Sequence, residues 1–475
     1  MNTYLLNPTV KGGGIYIREG RCMQKASSWV TIWPPVTLAV LGAIAKKFGP
    51  VRLLDGNVEN MTLEEFLSDI GQFKADIVII NTGFPSIDGD MAVAKAIKEK
   101  YPHIIIISFG VYFTLLDEQA LHNYPLIDIG IRGEPEETFT ELLQCLQEGK
   151  NNLHAIRGIA YRNIEGVKVN EPRPLIEDLD TIPIPARDLL KNDCYRLPHN
   201  NKTYSLLNSA RGCPFNCIYC IVSPYYGKKV RKHSISYIIE EIKECKDIYG
   251  IEEFLFWEEV FSLDKHFVAA LCDAIIKNQL NIRWAATTRV DTLDETTLVK
   301  MKAAGCYLLG LGIESGNQEI LDTAKKRQTL DDIQKAVAMC KRVKLQTMGH
   351  LIFGLPGETR QTAQTTIDFM LSLGLDYVQA YCAVPYPKTE FGTMARDKGW
   401  VVADRWSQYD FGGDSIVAMD TMTQQETTYF RKKAFRSFYF RPTYILKKVI
   451  QEFSLKQLFR LFRFFEWMNP VKRSH

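Results

Sequence analysis

No excess of charge of either sign marks this sequence: 58 lysines and arginines face 55 acidic residues, a net charge of +3 over 475 residues. So even a balance gives no electrostatic ground for a nucleic-acid partner. Nor is there an apolar run that could span a bilayer. The most apolar window, HIIIISFGVYFTLL (103–116), is too short and reads as a buried strand entering a loop. The opening MNTYLLNPTV lacks the basic flank and long apolar stretch of a secretory signal. Eleven cysteines without that signal are expected as reduced thiols in a cytoplasm, not as a disulfide framework. Eight of them, including Cys145, Cys272 and Cys340, stand singly in apolar or helical surroundings and read as small core residues. The other three lack a partner of a different kind. RGCPFNCIYC (211–220) sets Cys213, Cys217 and Cys220 in one tight loop with no fourth cysteine nearby, whereas structural zinc usually closes on four ligands.

What is there is an ordinary globular composition, 46% apolar and 24% charged, in a chain long enough for two or three domains. Residues 1–150 alternate strand and helix. The strands are TYLLN (3–7), VRLLD (51–55), DIVIIN (76–81), IIIISFG (104–110) and IDIGIRG (127–133), with helices such as 34–49 and 134–149 between them. This alternation predicts a doubly wound, Rossmann-like parallel sheet covered on both faces, with a ligand at the carboxyl ends of its strands. Those ends carry Asn7, Asp55, Asn81, Thr82, Gly110 and the run Arg132, Gly133, Glu134. Residues 151–203 hold a hairpin turning at Asn163–Gly166 and five prolines from Pro172 to Pro198, and read as a connector. From 204 to 400 six strands alternate with helices: YSLLN (204–208), EFLFW (253–257), IRWAAT (282–287), YLLGLGI (307–313), TMGHLIF (347–353) and YVQAYCAV (377–384). Six such units predict a partial or complete parallel barrel whose active face lies at the strand C-termini. Residues 401–475 are expected to form a C-terminal helical region.

The three cysteines follow the first strand of this second set, on the active face. A cubane iron–sulfur cluster normally takes four thiolates. Three leave one iron open for a substrate or cosubstrate, as catalytic metal sites do. A zinc completed by a distant fourth ligand is the alternative.

With the NSARG before it and Pro214 after its first cysteine, the loop resembles that of the radical S-adenosylmethionine (SAM) enzymes. The N-terminal domain resembles the cobalamin-binding domain of one large subfamily, which includes P-methylases, hopanoid methylases and the anaerobic magnesium-protoporphyrin ester cyclase. WPPVTLAVLGA, RGEPEETFTELL, LDTIPIPARDLL, GIESGNQEIL and FGLPGET carry the resemblance along nearly the whole chain. It implies a 4Fe–4S cluster on Cys213, Cys217 and Cys220, whose free iron chelates SAM and whose reduction yields a 5′-deoxyadenosyl radical. Tyr219 matches the aromatic that flanks the adenine. Glu258 and Glu259 of FWEEVF stand where acidic residues meet the SAM amino group or ribose, although the family more often has Asp there. Arg289 matches a carboxylate clamp, and Glu314 of GIESG a contact to the ribose or amino group; for each, an ion pair in a loop is the alternative.

The resemblance also implies cobalamin contacts at Asn7, Asp55, Asn57, Thr82, Gly110, Arg132, Gly133 and Glu134. Two departures stand out. Relatives that ligate cobalt through His carry DxHxxG, and here Asn57 takes the place of His in DGNVEN (55–60); an amide is a poor cobalt ligand. The usual Gly-Gly is replaced by Phe109-Gly110. The implied activity is methylation of an unactivated carbon or phosphorus in a small-molecule or lipid-like substrate, through methylcobalamin and the adenosyl radical. A one-electron reductant such as flavodoxin or ferredoxin is the implied partner. Radical oxidation or ring closure is one alternative, and a non-catalytic cobalamin or iron–sulfur sensor another. Near the C-terminus, LKQLFRLFRFFEWM (455–468) sets Leu455, Leu458, Phe459, Phe462 and Phe465 on one helical face, with Lys456, Arg460 and Arg463 on another. Such a helix either packs over the barrel or touches a membrane surface from the cytoplasmic side.

Overall fold

The computed structural model describes residues 1–12, 14–25, 31–149 and 152–451. The amphipathic stretch 455–468 lies outside them. Among the described residues no helix is long and apolar enough to cross a membrane.

The first half is built on one sheet. Its parallel strands are β1 (Thr3–Asn7), β4 (Val51–Asp55), β5 (Ile77–Asn81), β6 (Ile105–Phe109) and β7 (Ile129–Ile131), in the order β4-β1-β5-β6-β7. Every residue of β1 and β5 is buried, because helices cover both faces and continuous aliphatic runs are what such a sheet requires. The strand order reverses at β1, so the crevice above Asn7 is the expected ligand position. The helix Val36–Ala45 lies close on this sheet at Gly42, where a Cβ would stand 3.2 Å from Leu5 and 2.6 Å from Leu189 of the following segment.

Two hairpins complete this half. One, β2 (Tyr16–Glu19) with β3 (Cys22–Lys25), was not foreseen from the sequence. The other, β8 (Ile159–Asn163) with β9 (Gly166–Val169), turns where the sequence placed it. Instead of packing irregularly within the connector, it continues the first sheet by pairing antiparallel with β7. The edge of β7 would otherwise offer unpaired backbone groups, and the hairpin covers it.

The second half is an open six-stranded parallel sheet in sequential order: β10 (Tyr204–Leu207), β13 (Glu253–Phe256), β14 (Arg283–Thr288), β15 (Cys306–Glu314), β16 (Gln346–Phe353) and β17 (Tyr377–Cys382). The first and last strands do not pair, so this is a partial barrel. A two-stranded ribbon, β11 (Ala210–Arg211) with β12 (Arg231–Lys232), brackets the cysteine loop. Helices Gln424–Tyr439 and Pro442–Gln451 follow the barrel, broken at Pro442 as expected. The first packs on β17 through Tyr439, whose hydroxyl donates to Val378 O and accepts from Val378 N.

The connector is tied to both halves. Arg187 is fully buried, donating to Glu241 (2.6 Å), Ser205 Oγ and Leu206 O on the barrel side. Tyr195 donates to Asp55 of the first sheet (2.9 Å).

Candidate functional site

The loop after β11 opens at Gly212, at φ +96°, where a Cβ would lie 2.2 Å from Lys229 O; only glycine fits there. Backbone bonds then fold the loop tightly: Cys213 N donates to Gly227 O, Ile218 N to Ala324 O and Cys220 N to Cys217 O. The three thiols are half-buried against the apolar core. Burial pushes Cys220 up to about 12 and raises Cys213 as well. Thiolates in such a place need a cation, and metal coordination removes their protons outright. The three lie within electrostatic reach of one another. Yet among the described residues no three His, Cys, Asp or Glu side chains draw close enough to hold a single ion. Three thiols in one loop, with no fourth cysteine beside them, suit a cubane with one iron left open.

The expected SAM-side residues surround this loop. Tyr219 is buried beneath it. Glu258, 3% exposed, accepts from Ser209 N (2.9 Å) and from the Ser209 hydroxyl, pinning the approach to the loop; burial raises it to about 7. Glu259 behaves differently. One oxygen lies 3.6 Å from Arg21 Nε of the β2–β3 turn, and Oε2 has no hydrogen-bond partner among the described residues. Arg289 forks onto Asp291 (2.9 and 2.8 Å), donates to Lys326 O (2.5 Å) and lies 3.7 Å over the Phe215 ring. Its remaining nitrogen is 3.8 Å from Cys217 Sγ. The fork is thus already held by a carboxylate of its own loop, and what it presents to the site is a donor to sulfur.

Glu314 ends β15 at φ +64° and pairs with buried Lys326 at 2.6 Å. A Cβ on Gly312 would meet that pair at 2.7–2.8 Å, and one on Gly310 would meet His350 Nε2 at 2.8 Å. The glycines of GLGIE therefore make room for three polar side chains on one face of the strand. His350 was not singled out from sequence. Burial depresses it to about 4, its Nε2 has no partner among the described residues, and its ring lies parallel to that of Tyr381 at 6.0 Å.

At the ends of the first sheet, Asn7, Asp55 and Asn57 come together. Asn7 Nδ2 donates to Asp55 Oδ1 (2.8 Å), as does Asn57 N (3.0 Å). Burial raises Asp55 to about 6. The Asn57 amide is used at both ends: Oδ1 accepts from Thr9 Oγ1 (2.9 Å) and Tyr16 N, and Nδ2 donates to Tyr16 O (2.9 Å). It works as a surrogate peptide group that anchors β2. Thr82 Oγ1 pairs with Ser108 Oγ at 2.8 Å, and Gly110, at φ +112°, sits where a Cβ would strike Thr82 O at 2.5 Å.

Arg132 and Glu134 of the next run are engaged by protein partners. Arg132 pairs with Asp117 (3.2 Å) and donates to Asn170 O. Gly133, at φ +77°, has open space where a Cβ would be. Glu134 accepts from Arg211 (3.2 Å), Arg231 (2.7 Å) and Ile176 N (2.8 Å). Arg211 also pairs with Glu136 at 2.6 Å. This buried cluster joins the first sheet to the ribbon that carries the cysteine loop, so the Glu134 carboxylate is committed between domains.

Comparison with known proteins gives the family. Residues 207–370 match the radical SAM superfamily, and residues 26–143 the B12 binding domain. An uncharacterised methyltransferase of Pyrococcus horikoshii is 33% identical over 432 residues, which cover 90% of this chain and 93% of that protein. The chain belongs to the cobalamin-binding radical SAM enzymes. The anaerobic magnesium-protoporphyrin IX monomethyl ester cyclase of Rubrivivax gelatinosus is 26% identical, over 86% of this chain and 76% of that one. In fold, this radical SAM enzyme is similar to the methyltransferase TsrM of Kitasatospora setae, solved with cobalamin and a 4Fe–4S cluster bound. The TM-score is 0.67 at 17% identity, covering 85% of this chain and 76% of that one. The cofactors of the family member described here are therefore a 4Fe–4S cluster, SAM and cobalamin.

Proposed function

We propose that this enzyme methylates an unactivated carbon or phosphorus of a small-molecule or lipid-like substrate. The observation that carries the reading is the three-cysteine loop, joined through Arg211, Arg231 and Glu134 to the domain that takes cobalamin, so that the two cofactor ends share one interface. When bound, cobalamin supplies the methyl group, and the cluster with SAM supplies the hydrogen-abstracting radical. Cys213, Cys217 and Cys220 hold the cluster. Arg289 donates toward the Cys217 sulfur, which favours the reduced, more negative cluster. Glu258 fixes the loop through Ser209, so Glu259 and the Lys326-paired Glu314 would be the carboxylates offered to SAM, and Tyr219 would flank its adenine. At the other end, Asn7, Asp55, Asn57, Thr82, Gly110 and Gly133 shape the cobalamin crevice mainly through backbone and packing. Holding both cofactors on one substrate atom is an orientation effect, and the connector of 152–203 and the helices Gln424–Tyr439 and Pro442–Gln451 help exclude water there. Electrons come from a one-electron donor such as flavodoxin or ferredoxin. Contact of the C-terminal stretch with a membrane would suit a lipid-like substrate.

Similarity to the ester cyclase supports a second reading, radical oxidation or ring closure at the same site. Both need the cluster. Replacing Cys217 by Ala should abolish the iron–sulfur absorption and 5′-deoxyadenosine formation in anaerobically reconstituted protein. A C217A variant that cleaves SAM at the parent rate would overturn the cluster assignment.

A further inference from the structure

The β2–β3 hairpin is rooted in one domain and ends in the other. Its root is held by Arg18, 5% exposed, which donates to Asp90 (2.7 Å), Ser86 Oγ (3.0 Å) and Pro8 O (2.9 Å) and also bonds Asn7. Asn81 donates to Arg18 O. The tip crosses to the barrel. Gly20 turns at φ +52° against Tyr226, whose hydroxyl would lie 3.0 Å from a Cβ there. Arg21 lies with its guanidinium 4.6 Å over the Trp257 ring, near Glu258 O (3.5 Å) and Glu259 Oε1 (3.6 Å).

Trp257, Glu258 and Glu259 directly follow β13 on the active face. The Glu259 side chain is only 5% exposed; the backbone N–H groups of Gly212 and Glu259 face the carboxylate, but none of the described donors comes within hydrogen-bond geometry of Oε2. A buried carboxylate oxygen left without a donor is costly. The chemistry that satisfies it is an ammonium or a pair of hydroxyls, and SAM carries both. The other oxygen faces a guanidinium that comes from the cobalamin domain, braced on an indole.

We propose that Arg21 is a positioning residue of the SAM site: it holds Glu259 so that its free oxygen meets a donor of SAM, and so ties SAM binding to the seating of the cobalamin domain's hairpin. This rests on the cofactor reading above. Arg18, which bonds Asn7, Pro8, Ser86 and Asp90 of the first domain, keeps the hairpin in place when Arg21 is changed.

The test is SAM affinity by equilibrium dialysis, with cobalamin retention measured in parallel, on anaerobically reconstituted full-length protein. The set is the parent, Arg21→Ala, Arg21→Lys, Glu259→Gln and the double variant R21A/E259Q. R21A and E259Q should each weaken SAM binding about tenfold or more, the double variant should be no weaker than E259Q alone, and R21K should recover part of the loss. Cobalamin retention in R21A should equal that of the parent. Parent-like SAM affinity in R21A would overturn the proposal. So would losses that multiply in the double variant, which would mean that the residues act independently. Cobalamin lost in step with SAM would reduce Arg21 to a structural strut and overturn it too. A parent that binds no SAM would overturn the cofactor reading itself, and the proposal with it.

Discussion

Replacing Glu134 by Gln would separate two roles for one carboxylate. As a strand-end residue beside Arg132 and Gly133 it was expected to meet cobalamin. The structure instead places it, 3% exposed, between Arg231 (1% exposed) and Arg211 (10% exposed). Removing one partner of a buried ion pair costs about 3–5 kcal/mol, because the remaining charge is left uncompensated. Arg211 keeps Glu136, and Arg231 keeps the carbonyls of Ile176 and Tyr226, so the lower end, about 3 kcal/mol, applies. For a cooperative unit of about 150–250 residues that is a fall in Tm of roughly 6–12 °C. Burial by itself would push Glu134 up, but the two guanidiniums hold it below its ordinary 4.5. Its contribution is therefore full at neutral pH and is lost as pH falls below about 4.5. Calorimetry at pH 7 and pH 4, with limited proteolysis to follow exposure of 151–203, reads both effects. The difference between E134Q and parent should be large at pH 7 and shrink at pH 4, and E134Q/R231M should recover part of the loss. A parent-like Tm in E134Q combined with lost cobalamin would refute the anchor and restore the cobalamin contact.

Two further expectations use Glu358 and Asn57. Glu358 is fully buried after the FGLPG turn, and burial raises it to about 8 from 4.5, so the folded protein holds its proton more tightly than the unfolded chain. Stability from this group is full below about 4.5 and falls toward pH 8, by at most about 1.4 kcal/mol per pH unit; Glu358→Gln should flatten urea-unfolding stability between pH 5.5 and 8.5, and an unchanged slope would show that Glu358 is ionised. Because both ends of the Asn57 amide are engaged, electron paramagnetic resonance of the cobalt(II) form should show no axial-nitrogen splitting; a clear nitrogen triplet would contradict this.

Much of the fold was legible because its strands are aliphatic runs of strand length punctuated by Gly, Asn and Pro, as at Ile77–Asn81 and Val51–Asp55. The cysteine loop drew notice by its spacing, and its place after the first barrel strand and its resemblance to the radical SAM loop made it the candidate cluster site. Hairpin 16–25 was not: Arg18, Glu19 and Gln24 are buried, Arg18 on Asp90 and Glu19 on Thr37, so YIREGRCMQK carries no apolar alternation. The ion pairs of Glu134 were hidden for a related reason, since its arginines lie 77 and 97 residues away. His350 reads in sequence as one polar residue in a buried strand. Only the glycines of the adjacent strand, opposite its ring, show that the barrel keeps space there.

The central claim, methyl transfer by both cofactors acting together, is tested most directly by product stoichiometry. Reconstituted enzyme with cobalamin, a one-electron reductant and methyl-labelled SAM would be incubated anaerobically with cell extract and the products followed by mass spectrometry. Methyl transfer uses one SAM to restore the methyl donor and one to make the radical. The account predicts a labelled small-molecule product with S-adenosylhomocysteine and 5′-deoxyadenosine in near-equal amounts. Deoxyadenosine accumulating over many turnovers with almost no S-adenosylhomocysteine would contradict it, in favour of oxidation or ring closure.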